Sequence, residues 1–132
     1  REAGSRTKIA VFSNDPNVDP KGACVGSRGS RVRQIVNELK GEKLDVVEWR
    51  EDKVRFIIEA LGPADIELVD IDEHTKSAKV TVKDNQLSLA IGKEGQNARL
   101  AAKLTGYKID IEGLGDSPVV EEVQEESKQE EE

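Results

Sequence analysis

Hydrophobic positions recur along the chain with two periods, and together they predict a mixture of short helices and strands. In residues 31–40 and 51–61 the apolar side chains stand at i, i+3, i+4 and i+7, which indicates amphipathic helices. Short runs rich in Val and Ile between turn residues indicate strands. The pattern predicts helices at 20–25, 31–40, 51–61, 85–91 and 96–104, and strands at 7–13, 44–49, 66–71, 78–82 and 107–111.

Capping residues agree with these boundaries. Asp19 followed by Pro20 combines a helix N-cap with the proline that favours the first helical position. Ser30 is predicted to cap the helix at 31–40, and Gly41 and Gly106 are predicted to end the two longer helices that precede them.

The two halves of the chain repeat one unit. Residues 19–32 align with 85–98 at an offset of 66, and residues 8–11 align with 79–82. Each unit contains a strand, a short helix, a loop framed by two glycines, a longer helix and a strand. The second unit has a leading helix and strand at 51–71, and we expect the first to have them upstream of Arg1 in a longer protein.

Each repeat carries its most distinctive residues in the glycine-framed loop. The first reads Val-Gly-Ser-Arg-Gly-Ser-Arg-Val-Arg at 25–33, and the second reads Ile-Gly-Lys-Glu-Gly-Gln-Asn-Ala-Arg at 91–99. A glycine without a side chain lets another backbone come close, and the start of a helix favours an anion. Both loops are therefore candidate sites for a sugar-phosphate chain.

Charge is distributed unevenly along the chain, so the net charge of −7 does not describe each region. Residues 116–132 contain eight acids and one lysine, residues 51–115 carry a net −3, and residues 1–50 carry a net +3. The local basic patch at the first loop, and not the overall charge, bears on nucleic-acid binding.

Several classes of function lack their sequence signals. One cysteine, Cys24, excludes an internal disulfide framework, and one histidine and one cysteine cannot form a zinc cluster. No apolar run approaches the ~18 residues of a membrane span, and no Walker or dinucleotide motif is present. We expect no enzyme, cofactor, metal site or membrane segment.

The repeated unit resembles the K-homology (KH) domain, in the type II arrangement with a leading helix and strand. Residues 18–32 and 41–49 resemble the first KH domain of the bacterial NusA family of transcription termination and antitermination factors. Residues 84–93 and 95–101 resemble its second. The likeness covers about residues 1–113. It implies an α+β fold of two tandem KH domains at 1–50, lacking its leading helix and strand, and 51–115, followed by a disordered acidic tail at 116–132.

The resemblance implies single-stranded RNA binding within a transcription elongation factor that acts in pausing, termination and antitermination. Each loop would hold about four nucleotides, with bases on an aliphatic floor (Val25, Val32, Val46, Ile91, Ala98 and Ile111) and one extended strand following both domains. Glu94 would weaken the second loop by facing phosphate. The candidate RNA-binding residues are Val25, Gly26, Ser27, Arg28, Gly29, Ser30, Arg31, Arg33, Ile91, Gly92, Lys93, Glu94, Gly95, Gln96, Asn97 and Arg99.

Structural interpretations stay open for several of these residues. The glycine loops are also compatible with simple helix-to-helix turns, Arg31 and Arg33 with a solvated helix face, and Gln96 and Asn97 with helix-start residues that bind no ligand. The acidic tail is a solubilising terminus or a competitor of RNA for the arginines of the first loop.

The expected partners are single-stranded RNA, RNA polymerase (mainly through domains outside this chain) and antitermination proteins. We expect a monomer in the cytoplasm. The alternative function is a scaffold that docks on polymerase or antitermination proteins without gripping RNA.

Overall fold

A computed structural model describes residues 1–115; the predicted acidic tail at 116–132 lies outside the described residues. The described part has five α-helices and five strands in the predicted order, with a short 3₁₀ turn in each glycine loop. They are β1 (Arg6–Val11), α1 (Pro20–Val25), α2 (Ser30–Glu38), β2 (Lys43–Glu48), α3 (Lys53–Ala60), β3 (Leu68–Asp72), β4 (Ser77–Val82), α4 (Asp84–Ile91), α5 (Gln96–Thr105) and β5 (Lys108–Gly113).

The strands form two sheets, one in each half of the chain. In the first, β1 and β2 pair in parallel, with Arg6 opposite Lys43 and Val11 opposite Glu48. In the second, the order is β3-β4-β5, with β3 antiparallel and β5 parallel to β4. The pair β4-β5 repeats the pair β1-β2, as the internal repeat predicts, and β3 occupies the remaining edge of β4.

Helix α2 differs from its prediction at both ends. Gly29, at φ 74°, is its N-cap, and Ser30 is its first helical residue instead of the cap. The helix ends at Glu38, two residues before the predicted end, because Lys40 turns into the left-handed region at φ 59° and Gly41 N–H bonds back to Val36. A left-handed residue closes a helix by satisfying its last carbonyls.

Helix α3 and strand β5 are also shifted from their predictions. Helix α3 begins at Lys53, two residues later than predicted, because the Asp52 carboxylate caps it by accepting from the Val54 N–H at 3.0 Å. Strand β5 runs on to Gly113 because that residue still pairs with Val82 of β4.

The buried core lies mainly in the second half. Ile57 and Leu61 of the α3 segment, Val80 and Val82 of β4 and Ala101 of α5 are all fully buried in one cluster. In the first half, α1 and α2 contain no buried residue. Ile35 of α2 is 38% exposed, whereas its repeat partner Ala101 is covered.

Polar contacts in two regions tie the halves together. Lys8 on β1 is buried, and its Nζ donates to Asp45 Oδ2 and to the Gly62 carbonyl just after α3, each at 3.0 Å. Burial lowers the pKa of Lys8, although Asp45 opposes this effect. The carboxylate of Glu2, in the turn before β1, accepts from Arg99 and Gln96 of α5. The two halves are therefore joined both through strand β1 and beside the second glycine loop.

A further buried carboxylate fixes the turn that holds Glu2. Glu42 accepts from the Arg1 guanidinium, the Gly4 N–H and the Thr7 hydroxyl. The hydrogen bonds from Arg1 are the main reason that the pKa of Glu42 falls to about 2.

In the described part of the chain, none of the helices has the length and apolar character needed to cross a membrane.

Candidate nucleic-acid interface

The first glycine loop is a sharp, fully defined turn between α1 and α2. Helix α1 ends at Val25, and the Gly26 N–H bonds to Gly22 O at 3.0 Å. A single 3₁₀ turn, Ser27–Gly29, follows, in which Arg28 takes the left-handed conformation at φ 54°. The Gly29 N–H closes the turn on Gly26 O at 3.1 Å. The turn leaves the side chains of Ser27 and Arg28 exposed.

The second loop has the same backbone conformation. Gly92 and Gly26 take φ/ψ of 83°/166° and 80°/173°, and Glu94 takes φ 56° at the position of Arg28. The Gly95 N–H bonds to Gly92 O at 3.0 Å, as Gly29 does to Gly26. The sequence repeat is therefore a repeat of structure down to single dihedral angles.

The two glycines of each loop have different surroundings. A Cβ at Gly92 would lie 2.6 Å from the Asn97 backbone nitrogen, and one at Gly26 would lie 3.0 Å from the Arg31 backbone nitrogen. At Gly95, the nearest atom to a Cβ would be the end of a flexible side chain, at 3.7 Å. The first glycine thus lets the loop pack on its own following helix, while the second leaves open space where another molecule can approach.

The arginines of the first loop are exposed but not equivalent. Arg31 Nη1 donates to the Ala23 carbonyl of α1 at 2.8 Å, and Arg33 Nη1 donates to the Arg28 carbonyl within the loop. Within residues 1–115, Arg28 has no hydrogen bond or ion pair through its side chain, so its guanidinium is the freest charge in this loop.

Asn97, a predicted RNA contact, has a side chain that is already engaged within the fold. Its side chain is buried, and Nδ2 donates to Leu61 O at 2.9 Å and Ala90 O at 3.0 Å. It joins α3, α4 and α5 and cannot turn toward a ligand without breaking both bonds. Asn97 occupies the repeat position of Arg31, so the internal alignment gave no warning of this difference.

Gln96 and Arg99 are half-buried and exposed, respectively, and both are engaged with the first half of the chain. Gln96 Nε2 donates to Glu2 Oε1 and Ser5 Oγ, and Arg99 donates to both oxygens of Glu2. The Arg99 hydrogen bonds are the main reason that the pKa of Glu2 falls to about 2. Lys93, in contrast, is exposed and has no such partner within residues 1–115.

The predicted aliphatic floor is partly accessible. Val46 is buried, and the other members are half-buried. The half-buried members of this floor are Val25, Val32, Ile91, Ala98 and Ile111.

A cleft of about 540 Å³ connects the first sheet to the second loop, and the sequence did not predict it. One wall is β2, from Leu44 to Val47; the other contains Ser88 and Leu89 of α4 and the start of the second loop. Three basic residues, Arg6, Lys21 and Lys93, also line it, together with the carboxylates of Asp45 and Glu59. Lys21, Ser88 and Leu89 are not among the candidate RNA-binding residues, and only the packing of the two halves brings them together.

Family comparison assigns each half separately. Residues 1–49 match the NusA-like first KH domain, and residues 53–118 match the NusA-like second KH domain. The chain belongs to the NusA family. The order of the two matches is that of the two glycine loops, so the predicted tandem KH fold is confirmed. The boundaries 1–50, 51–115 and 116–132 stay a prediction.

The relatives carry one name, transcription termination/antitermination protein NusA. The chain is 62% identical over 111 residues to the protein of Halalkalibacterium halodurans, covering 84% of this chain and 29% of the relative. It is 59% identical over 117 residues to that of Bacillus subtilis, covering 89% and 32%, and 56% identical over 119 residues to that of Mycobacterium tuberculosis, covering 89% and 34%. This NusA-type chain therefore spans about a third of these relatives, and it is a tandem KH segment.

A solved structure shares the fold at greater distance. The crystal structure of APE1850 has a TM-score of 0.61 and 25% sequence identity, covering 85% of this chain and 82% of that one.

Proposed function

We propose that this NusA-type chain binds single-stranded RNA through its two G-x-x-G loops, as part of an elongation factor acting in pausing, termination and antitermination. One observation carries the proposal: two loops of matching backbone conformation each present an open second glycine at the start of a helix. A helix start offers N–H donors and a positive dipole end to a phosphate.

The two loops differ in charge, which supports unequal roles. Arg28 places a free guanidinium at the tip of the first loop, where Glu94 places a carboxylate in the second. Phosphate contacts of this kind hold a strand without reading its sequence. The first loop is the stronger grip, and the second is helped mainly by Lys93.

Bases lie on the half-buried aliphatic surface beside each loop and on the β2 wall of the cleft. The chain has only four aromatic residues, and Trp49 is held between Phe12 and Phe56 at centroid distances of 5.5 and 6.4 Å. Recognition of this type therefore uses base edges and backbone groups more than stacking.

One strand passes both domains through the cleft between β2 and the second loop. The contacts of Lys8 and Glu2 hold the halves in one orientation, so the two sites are linked rigidly. Linkage of two weak sites raises apparent affinity by roughly 10²–10⁴ when one ligand reaches both.

If one RNA strand follows both domains continuously, the distance between its two bound segments should affect affinity. Two short target segments joined by a long neutral spacer are expected to bind at least tenfold more weakly than contiguous RNA, because the effective concentration of the second segment falls with linker length. Titration of labelled RNAs with spacers of increasing length measures this. Equal affinity for spaced and contiguous RNA would rule out a continuous path.

The wider role follows the family. We propose action in the cytoplasm at RNA polymerase, contacted mainly by parts of the relatives that this chain does not span, together with antitermination proteins. The chain acts as a monomer.

Fluorescence anisotropy of this chain with labelled single-stranded RNA, single-stranded DNA and duplex tests the proposal. Preferential binding of single-stranded RNA, weakened by salt as phosphate contacts require, is the expected result. No binding to any of the three would favour the scaffold function instead.

Removing the carboxylate of the second loop is expected to tighten binding. Glu94 is exposed beside the open glycine, and a unit charge within ~4 Å of phosphate costs about 1 kcal/mol in water. Glu94→Gln and Glu94→Gly should each bind RNA roughly fivefold more tightly at low salt. Glu112→Gln, which removes an exposed acid from β5, is the matched control. Unchanged affinity in both Glu94 variants would contradict the assigned role.

A further inference from the structure

Arg33 and Arg99 make the same unusual contact in the two repeats. Arg33 Nη1 donates to the carbonyl of Arg28, and Arg99 Nη1 donates to the carbonyl of Glu94 at 3.0 Å. In each case the acceptor is the left-handed residue of the loop, at φ 54° or 56°. Two independent copies of one contact indicate a function of the fold and not an accident of one surface.

The contact restrains the least favourable residue of each loop. A non-glycine residue in the left-handed region costs roughly 1–2 kcal/mol, so Arg28 and Glu94 need support to stay there. A guanidinium carries five donors in a rigid fork. One of these donors forms a hydrogen bond with the carbonyl of the left-handed residue. The tip of the same side chain lies beside the second glycine, where Arg33 Nη1 is 3.4 Å from a Cβ added at Gly29.

In the second repeat the Arg99 guanidinium is also hydrogen-bonded to a residue of the first domain. Arg99 Nε and Nη2 donate to Glu2 at 2.5 and 3.0 Å, and Gln96 Nε2 donates to the same carboxylate at 2.9 Å. With Nη1 on Glu94, all three nitrogens of Arg99 have a partner, and Glu2 lies more than 90 residues away in the first domain. The first domain therefore contacts the second loop indirectly, because Glu2 binds Arg99 and Arg99 binds the Glu94 carbonyl.

We propose that Arg33 and Arg99 are positioning residues of the two loops and not phosphate ligands, and that Glu2 completes the positioning of the second loop. The proposal rests on RNA binding by the loops as proposed above. It changes the expected role of two candidate site residues and makes the second loop depend on the first domain.

Charge-conserving substitution separates positioning from phosphate contact. Lysine keeps the charge but lacks the planar fork of a guanidinium: at 99 it cannot hold the loop carbonyl and Glu2 together, and at 33 it cannot reproduce the fixed donor geometry on the Arg28 carbonyl. Arg33→Lys and Arg99→Lys are expected to weaken RNA binding roughly tenfold, the loss of about one charge-assisted hydrogen bond. Arg55→Lys, an exposed arginine on α3, is the matched control and should bind as the unsubstituted chain does.

The salt dependence gives a second, independent readout. A lost phosphate contact lowers the slope of log affinity against log salt by about 0.7 for a single strand. We expect Arg33→Gln and Arg99→Gln to lower affinity with no change in slope, and Glu2→Gln to weaken binding. Lysine variants that bind normally, a slope lowered by one contact, or tighter binding by Glu2→Gln would overturn the proposal.

A third measurement needs no RNA. The Gly29 and Gly95 N–H groups are hydrogen-bonded inside their loops at 3.1 and 3.0 Å, so their amide hydrogen exchange reports loop order. Arg33→Lys should speed exchange at Gly29, and Arg99→Lys or Glu2→Gln should speed it at Gly95, by roughly threefold to tenfold more than at the amides of the buried core. Unchanged exchange overturns the positioning role, whereas a failure of RNA binding in the unsubstituted chain overturns only the proposed function.

Discussion

Replacing Arg28 by Asp is expected to weaken binding of single-stranded RNA roughly 10- to 100-fold at low salt. The guanidinium of Arg28 has no partner within residues 1–115 and stands at the tip of the first loop, so it is free to meet a phosphate. A hydrogen bond to a charged group contributes about 1.5–3 kcal/mol, and an aspartate adds repulsion at the same point. Aspartate tolerates the left-handed conformation at this position better than most residues, so the loop itself should persist.

The chain offers a closely matched control. Lys40 is also exposed, also basic and also left-handed, at φ 59°, but it lies beyond the far end of α2. Lys40→Asp makes the same change of charge in the same backbone conformation, and it should alter affinity by less than about threefold, since an exposed charge at that distance is largely screened. Anisotropy titrations of both variants against one RNA decide the matter. Equal losses would mean that overall charge, and not the loop, governs binding.

The corresponding change in the second loop should cost less. Lys93→Asp removes an exposed cation from a loop that already holds Glu94, so we expect a loss about threefold to tenfold. In a chain that carries both Arg28→Asp and Lys93→Asp, RNA affinity should fall by more than in either single variant, because both loops are held on one rigid body.

The regular elements and the loops followed from local sequence. Apolar spacing, the Asp19-Pro20 start and the glycines at helix ends are local signals, and all ten elements lie where these signals put them, within two residues at most ends. The match of the two loops followed from the repeat alone, since the same residue types at the same spacing adopt the same turn.

The roles of individual site residues depended on contacts that sequence does not show. Asn97 is a polar residue at a helix start, which is compatible with either ligand binding or structure. Its burial is decided by Leu61 and Ala90, which approach from two other elements. Arg99 is similar, since its partner Glu2 is distant in the chain. Local patterns carry no information about such long-range pairing.

The same limit applies to the cleft. Its walls come from β2, from the segment after α3 and from α4, and the buried Lys8 joins the first sheet to the segment after α3 through Gly62. A lysine in a strand is normally an exposed residue, so the sequence gave no reason to place it between domains. The cleft therefore appears only once the two halves are packed.

The two glycines of one loop should respond very differently to alanine. Gly92 lies at φ 83°, ψ 166°, a region essentially confined to glycine, and an added Cβ would lie 2.6 Å from the Asn97 backbone nitrogen. Backbone cannot move aside without displacing α5 and the buried side-chain bonds of Asn97. Strain of about 1–3 kcal/mol and overpacking of similar size should together lower the free energy of unfolding by about 2–5 kcal/mol.

Gly95→Ala is the matched comparison, because it makes the same chemical change three residues away. Gly95 takes the ordinary left-handed conformation at φ 77°, ψ 10°, and a Cβ there meets only the Arg99 side-chain tip at 3.7 Å. Its stability loss should be about 1–2 kcal/mol, while its RNA affinity should fall because the methyl group fills the space left for phosphate. Urea unfolding and RNA titration of both variants separate the two effects. Equal destabilisation by the two alanines would remove the distinction between a glycine required by the fold and a glycine kept open for the ligand.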